Sequence, residues 1–207
     1  MTNADREIIQ LLAENAVLRE KVADLEALAQ SDSLTQCGNR RAFDTALKKE
    51  LERSRRSGYP TCLILLDIDG LKRINDAYGH SAGDSCLIEL ARVLVSKVRK
   101  LDSVHRIGGD EFAIVLAAST VQAGSIVAQR LQSASLAINH SGELLSFSFS
   151  IGVASADSEG ISVLDSALNP AFGSAHRVAL EGVTDQLPAR LLAAADEALY
   201  QSKAQNR

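Results

Sequence analysis

The first thirty residues place apolar side chains at a seven-residue spacing, which is typical of a coiled coil. One seam position holds Ile8, Asn15, Val22 and Ala29, and the other holds Leu11, Leu18 and Leu25. An Asn inside an apolar seam fixes the register of parallel two-stranded coils. Across such a dimer, Glu14 would face Arg19 of the second helix, and Lys21 would face its Glu26. We therefore predict a parallel dimeric coiled-coil helix over residues 1–31. The alternative is an amphipathic helix docked on its own domain, because three heptads are marginally stable alone.

From residue 32 onward the pattern changes to that of a globular domain with helices and strands. The uninterrupted apolar run at 61–67 indicates a buried central strand, and the strict alternation at 145–153 indicates a strand with one packed face. The order βαββαβ predicts an α+β domain whose antiparallel sheet has helices packed largely on one face. The other predicted elements are helices at 40–56 (ended by Ser57-Gly58), from Leu71, at 82–99, 121–138 and 189–204, and strands at 104–107 and 112–116.

Residues 155–190 show neither a helical nor a strand period. Glycines and prolines interrupt a mixture of apolar and polar residues throughout this stretch. Because long loops are unusual inside a compact domain, we interpret 155–190 as an insertion in a domain that spans 32–207.

Composition and charge narrow the class of partner. The 207 residues are 46% hydrophobic and carry a formal net charge of −4, which disfavours a nucleic-acid or anionic-membrane partner. The three cysteines lack CxxC spacing, so we expect reduced thiols. The N-terminus has no apolar signal-peptide core, and no apolar run is long enough to cross a bilayer. We therefore expect a soluble, cytoplasmic protein.

Acidic residues follow the apolar strands at two places. Asp67 and Asp69 close the first strand, and Asp110-Glu111 follow Gly108-Gly109 in a hairpin turn. Carboxylates beside a buried strand are unfavourable unless a cation compensates them, and magnesium-bound phosphates would do so. Paired glycines let a ligand approach the backbone closely. The pattern is consistent with metal-assisted phosphoryl chemistry, although the same residues also occur in ordinary turns.

Several ordered motifs resemble the GGDEF family of diguanylate cyclases over residues 32–207. The family implies a palm-like, nucleotidyl-cyclase or ferredoxin-like α+β fold. The matching stretches are Asp32 to Thr35 with Asn39 to Arg41, Asp67 to Asp69, Lys72 with Ile74 to Asp76 and Gly79-His80, Gly83-Asp84, Arg106 to Phe112, Ser150 to Ala154, and Ala195 to Tyr200 with Lys203.

This resemblance implies an enzyme that condenses two GTP molecules into cyclic di-GMP and two pyrophosphates between two facing domains. Asp67, the carbonyl of Ile68 and Asp110 would bind two Mg²⁺ ions for each GTP, with Mn²⁺ as an alternative metal. Asp110 is the first choice for the proton acceptor and Glu111 the second.

The resemblance also assigns the groups that would hold the substrate. Asn75 and Asp84 would hydrogen-bond guanine, because an acidic acceptor suits its N1–H and N2–H₂ donors. Gly109 would let the ribose and α-phosphate lie against the turn. The phosphate-binding cations would be Lys72, Lys203 and Arg207.

The stretch from Arg99 to Asp102 matches the family's RxxD site for inhibition by cyclic di-GMP. Arg99 would bind a guanine edge and a phosphate of the product, and Asp102 would hydrogen-bond either guanine or the arginine. The alternative is an ordinary helix end followed by a turn. Arg130 is a candidate partner contact on the next helix.

Two alternative functions remain open at this point. A catalytically silent receptor would bind cyclic di-GMP through Arg99 and Asp102, but the intact Asp67 and Asp110 count against it. The second alternative is a coiled-coil interaction module in which the cyclase-like domain serves only as a scaffold. The chain departs from the family at Gln36-Cys37, near the join between the coiled coil and the domain. It also departs at Asn206, which leaves the placement of Arg207 open.

Overall fold

The computed structural model describes residues 10–12, 14–19, 21, 29–164, 175–179 and 186–205, and the chain divides into two compact units. The units are Met1–Ser31 and Asp32–Arg207. In the first unit, residues 10–12, 14–19 and 21 are helical, and the side chains of Leu11 and Leu18 are exposed. The remainder of the predicted heptad pattern lies largely outside the described residues, so the dimeric coil stays a prediction.

The second unit contains five helices and eight strands within the described residues. Asn39 begins the first helix by accepting a hydrogen bond from the backbone of Ala42, and Gly58 ends it in the left-handed conformation. The helices are α1 (Arg40–Ser57), α2 (Leu71–Tyr78), α3 (His80–Lys97), α4 (Val121–Gln132) and α5 (Leu187–Gln205); the strands are β1 (Thr61–Ile68), β2 (Ser103–Arg106), β3 (Glu111–Leu116), β4 (Ala137–His140), β5 (Glu143–Ser146), β6 (Phe149–Ala156), β7 (Gly160–Leu164) and β8 (Ala175–Ala179).

Six of these strands form one sheet in the order β2-β3-β1-β6-β7-β8, and every neighbouring pair is antiparallel. Strands β4 and β5 form a separate hairpin. At one end of β1, Asp67 pairs with Glu111 on β3 and with Ser150 on β6. The predicted α+β fold and its antiparallel sheet are confirmed.

The helices cover both faces of the sheet, so the expectation that they lie largely on one face was wrong. Leu63 and Leu65 of β1 pack in a cluster with residues of α1 and α5. Ile64 and Leu66 point to the opposite face, in a cluster with residues of α3 and α4. The uninterrupted apolar run of β1 has two apolar faces, and each requires its own layer of helices.

Two predicted elements prove to be shorter than their sequence patterns suggested. The helix predicted at 121–138 ends at Gln132, where the backbone of Ser133 donates to Gln129, and 137–140 forms β4. The strand predicted at 145–153 is interrupted at Phe147-Ser148, where the chain leaves the hairpin and enters the main sheet. All eight residues of β6 are buried, so this strand does not have one packed and one exposed face.

The stretch predicted as an insertion contains the end of β6, all of β7 and β8, and the start of α5. Asp157 accepts hydrogen bonds from the backbone of Glu159 and Gly160 and thereby shapes the β6–β7 turn. Arg177 of β8 also binds Asp157. The sequence pattern did not predict these short strands, because polar side chains and glycine interrupt the alternation of apolar and polar residues.

Gly152 of β6 allows the backbone of α5 to approach the sheet. A Cβ atom there would overlap the carbonyl oxygen of Ala195 and the backbone nitrogen of Leu199. Backbone atoms cannot rotate away as a flexible side chain can, so this position admits only glycine. The contact places α5, and Lys203 near its end, against β1 and β6.

We expect Gly152→Ala to destabilise the domain by at least about 2 kcal/mol, the usual magnitude for overpacking, measured by chemical denaturation. Gly109→Ala is the matched control, because a Cβ at Gly109 meets nothing within 4 Å and should leave the fold stable. Equal stability of the two variants would contradict the close packing of α5 on β6.

Candidate active site

A cavity of about 470 Å³ lies where β1 ends and α2 begins. It collects residues that are distant in sequence, because the end of β1 adjoins the β2–β3 turn and the last helix. Its lining residues are Asp67, Ile68, Asp69, Gly70, Leu71, Lys72, Arg73, Asp110 and Lys203. Five of the predicted site residues, Asp67, Ile68, Lys72, Asp110 and Lys203, therefore line one cavity.

Asp67 is the buried carboxylate of this cavity, with 7% of its surface exposed. Lys203 of α5 donates to its Oδ2 atom at 2.7 Å. Burial raises the pKa of Asp67 above its ordinary value, and the negative charges of Asp110 and Glu111 raise it further, whereas Lys203 lowers it. Ionisation of Asp67 is therefore less favourable than that of an exposed aspartate, and an additional cation would favour it.

The β2–β3 turn brings Asp110 beside the end of β1. The backbone of Ile107 donates to the carbonyl of Glu111 at 2.9 Å, and Ile68 donates to the carbonyl of Asp110 at 3.3 Å. A Cβ at Gly108 would overlap the Glu111 carboxylate, whereas Gly109 faces open space. A side chain at 108 would therefore displace the Glu111 carboxylate, whereas packing places no restriction on position 109 within the described residues.

Arg106 holds this turn in place, a role that its sequence context did not predict. Its Nη2 and Nε atoms donate to the carbonyl of Gly109 at 2.7 and 3.2 Å, and its Nη1 atom lies 3.2 Å from Asp32. Burial would raise the pKa of Asp32, but hydrogen bonds from Thr35 and the nearby Arg106 guanidinium lower it below its usual value. The signal available in the sequence was the arginine directly before the turn.

The side chains of Asp69 and Glu111 have surroundings different from those of Asp67. Asp69 accepts hydrogen bonds from the hydroxyls of Ser148 at 2.8 Å and Ser150 at 2.7 Å, so both its oxygens are occupied. Glu111 lines a second cleft, between α1 and α5, with Arg40 among its other lining residues. Of the two candidate proton acceptors, Asp110 is the one that lines the cavity with Asp67.

The predicted guanine-binding pair lies outside the residues that line the cavity. Asn75 is on α2, and its Oδ1 atom is buried without a hydrogen-bond partner within the described part of the chain. The side chain lies over Gly83 of α3, where a Cβ would overlap it. Asp84 follows Gly83 and is exposed. A buried amide oxygen without a partner is unfavourable, and a ligand donor would satisfy it.

The structure supports a turn at the predicted product site. Asp102 accepts from the backbone of Arg99 at 2.9 Å and from Ala117 at 3.3 Å, so both its oxygens contact backbone amides. The Arg99 side chain is exposed. Arg130, predicted as a partner contact, is exposed and donates to the carbonyl of Lys97 at the end of α3; the partner contact stays a prediction. Arg207 lies outside the described residues.

The residues present fit a magnesium site that the substrate completes. Among the described residues, no group of three or more His, Cys, Asp or Glu side chains is placed to hold a metal ion. Three carboxylates line the cavity, and Asp69 among them accepts hydrogen bonds from two serines; Asp67, Asp110 and the carbonyl of Ile68 are the candidate metal ligands. Magnesium commonly uses one or two carboxylates and takes its other ligands from substrate phosphates and water. This oxygen-donor set suits it.

The chain belongs to the GGDEF domain family, described as "Diguanylate cyclase, GGDEF domain", whose model matches residues 29–171. It is 39% identical over 132 residues to diguanylate cyclase DgcP of Pseudomonas aeruginosa, covering 63% of this chain and 20% of DgcP. The chain spans less than half the length of the curated relatives it matches.

Solved structures of this family share the fold. The diguanylate cyclase SiaD of Pseudomonas aeruginosa, solved with its activator SiaC, is 29% identical with a TM-score of 0.68, covering 98% of this chain and 70% of SiaD. The GGDEF domain of DgcB from Caulobacter crescentus, solved with cyclic di-GMP, is 26% identical with a TM-score of 0.64, covering 86% and 90% of the two chains. Within the described residues, no helix is both long and apolar enough to span a bilayer.

Proposed function

We propose that this chain is a diguanylate cyclase that joins two GTP molecules into cyclic di-GMP and releases two pyrophosphates. The observation that carries the proposal is the buried Asp67 carboxylate, which shares a cavity with Asp110 and contacts Lys203. Relatives named diguanylate cyclase and a related domain solved with cyclic di-GMP support the same activity. GGDEF diguanylate cyclases depend on a divalent metal.

In this proposal each chain binds one GTP and contributes half of a complete site. Two Mg²⁺ ions, or Mn²⁺ in their place, are held by Asp67, the Ile68 carbonyl and Asp110. The bound metal would supply positive charge that favours loss of the 3′-hydroxyl proton and neutralises charge on the transferring phosphoryl group. Gly109 leaves room for the ribose and α-phosphate because no side chain fills that side of the turn.

The base and the phosphates of GTP are held by different parts of the chain. Asn75 and Asp84 bind the guanine edge, which gives the Asn75 amide oxygen the partner it lacks within the described chain. Lys203, whose ammonium group contacts Asp67, also supplies positive charge to the phosphates. Lys72 and Arg207 supply further positive charge to the triphosphate.

The reaction consists of two equivalent displacements between the facing chains. The 3′-oxygen of each GTP forms a bond to the α-phosphorus of the other GTP. The bond from that phosphorus to the β-bridging oxygen breaks, and pyrophosphate leaves with its electron pair. Asp110 accepts or directs the proton of the 3′-hydroxyl, since it lies in the cavity whereas Glu111 lines the second cleft.

We expect Asp110→Ala to lower cyclic di-GMP formation from GTP and Mg²⁺ by at least about a hundredfold, as loss of a general base does. Nucleotide separation by chromatography measures the product, and thermal unfolding checks that the variant is folded. The exposed Asp44 of α1 provides the matched control Asp44→Ala, which should keep full turnover. Undiminished turnover in folded Asp110→Ala would contradict the proposal.

Product inhibition through Arg99 and Asp102 is a separate part of the proposal. Asp102 shapes the turn through its two backbone contacts, and this leaves the exposed Arg99 guanidinium available to a phosphate and a guanine edge. Asp102 therefore supports the site through the backbone of Arg99.

Arg99→Ala should weaken inhibition by added cyclic di-GMP by about tenfold or more, because charge-assisted hydrogen bonds are lost. Initial rates without added product should stay unchanged. Arg92→Ala removes an exposed arginine of α3 that pairs with Glu89 and serves as the control. An unaltered inhibition constant in Arg99→Ala would remove the inhibitory role from this site.

The first unit is proposed to form a parallel coiled-coil homodimer that raises the frequency with which two sites face each other. The exposure of Leu11 and Leu18 supports this, since a coiled coil would bury them against a second helix. The separate compactness of Asp32–Arg207 is consistent with removing the first unit without unfolding the second.

A chain lacking residues 1–28 should be monomeric in light scattering at concentrations where the full chain is dimeric. Its turnover per chain should be lower and should rise with protein concentration, because two chains must then meet by diffusion. If the shortened chain dimerises and turns over as well as the full chain, the coil has no such role.

A further inference from the structure

Arg73 is a cation of the cavity that the proposed GTP contacts do not use. It lies in the first turn of α2, directly after Lys72, and lines the same cavity as Asp67 and Asp110. It also lines an adjoining cleft between α2 and the β5–β6 connection. Its side chain is exposed, so a ligand entering the cavity can reach it.

The guanidinium of Arg73 folds back over the start of α2. A Cβ placed on Gly70 would lie 2.7 Å from Nη2 and 2.8 Å from Nε of Arg73. Gly70 precedes α2, and no side chain caps this end of the helix. The arginine therefore sits beside backbone N–H groups at a helix N-terminus, which is a favourable environment for anions.

No carboxylate within the described residues compensates Arg73. Arg92, Arg106 and Arg177 each have a carboxylate within 4 Å, and no such pair is found for Arg73 in that part of the chain. Asp69 also lines the cavity and accepts hydrogen bonds from Ser148 and Ser150, but within the described residues it forms no ion pair with Arg73. Asp67 is occupied by Lys203. The charge of Arg73 is thus left for a ligand.

We propose that Arg73 is a substrate-contacting residue that binds the β- and γ-phosphates of GTP, the part that leaves as pyrophosphate. This inference rests on the proposed cyclase function. Arg73 and Asn75 are two positions apart on α2 and so point about 200° apart around its axis. Asn75 faces Gly83 of α3, whereas Arg73 lies over Gly70. The base and the terminal phosphates therefore lie on opposite sides of α2.

The fork of the guanidinium suits two oxygens of a terminal phosphate better than a single lysine charge does. Arg73→Ala should therefore raise the KM for GTP by about tenfold or more, since charge-assisted hydrogen bonds are lost. It should weaken inhibition by added pyrophosphate by a similar factor. For Arg73→Lys, the KM and the pyrophosphate inhibition should lie between those of the unaltered protein and Arg73→Ala, because lysine keeps the charge but lacks the forked pair of donors.

The controls separate this role from general damage. Inhibition by cyclic di-GMP, which has no β- or γ-phosphate, should not change in Arg73→Ala, and thermal unfolding should match that of the full protein. Arg92→Ala should change neither the KM nor the inhibition by pyrophosphate. If the unaltered protein makes no cyclic di-GMP, the proposed function fails. If the unaltered protein is active, two results would refute the role of Arg73. One is an unchanged KM and unchanged pyrophosphate inhibition in Arg73→Ala, and the other is an equal loss of inhibition by pyrophosphate and by cyclic di-GMP.

Discussion

The arrangement of the site depends on one buried charge, the Asp67 carboxylate at the end of the central strand. Burial raises the pKa of this carboxyl, and in the described structure Lys203 is the cation that contacts it. That contact requires α5 to lie close to β6, which in turn requires glycine at 152. A packing constraint in the core thus helps to determine where Lys203 stands, and it links the fold to the site.

A second constraint links the beginning of the domain to the glycine turn. Arg106 contacts Asp32 with one nitrogen and the Gly109 carbonyl with two others. Asp32 is itself fixed by hydrogen bonds from Thr35. Because the Arg106 guanidinium contacts both groups, a displacement of Asp32 would alter the hydrogen bonds from Arg106 to the Gly109 carbonyl. The turn that carries Asp110 is therefore held from outside the hairpin as well as within it.

Strong periodicity and local motifs made much of the fold predictable, whereas features that depend on tertiary packing were not. The run at 61–67 correctly predicted a central strand, but it does not specify which helices cover each face. The break at Phe147-Ser148 arises where the chain changes sheets, a tertiary event that leaves the alternation intact. Asp67 and Asp110 could be predicted as neighbours from the family motifs. The occupation of Asp69 by two serines required the register of β1 and β6.

We propose that a divalent metal bound with the triphosphate of GTP compensates the buried Asp67 carboxylate in addition to Lys203. The most direct measurement is the rise in unfolding temperature caused by Mg²⁺ at a fixed concentration of a GTP analogue with a non-cleavable α–β bridge. Ligands that bind only the folded state stabilise it as their concentration exceeds the dissociation constant. We predict a Mg²⁺-dependent rise for the unaltered protein and none for folded Asp67→Asn. An equal rise in both proteins would contradict the claim.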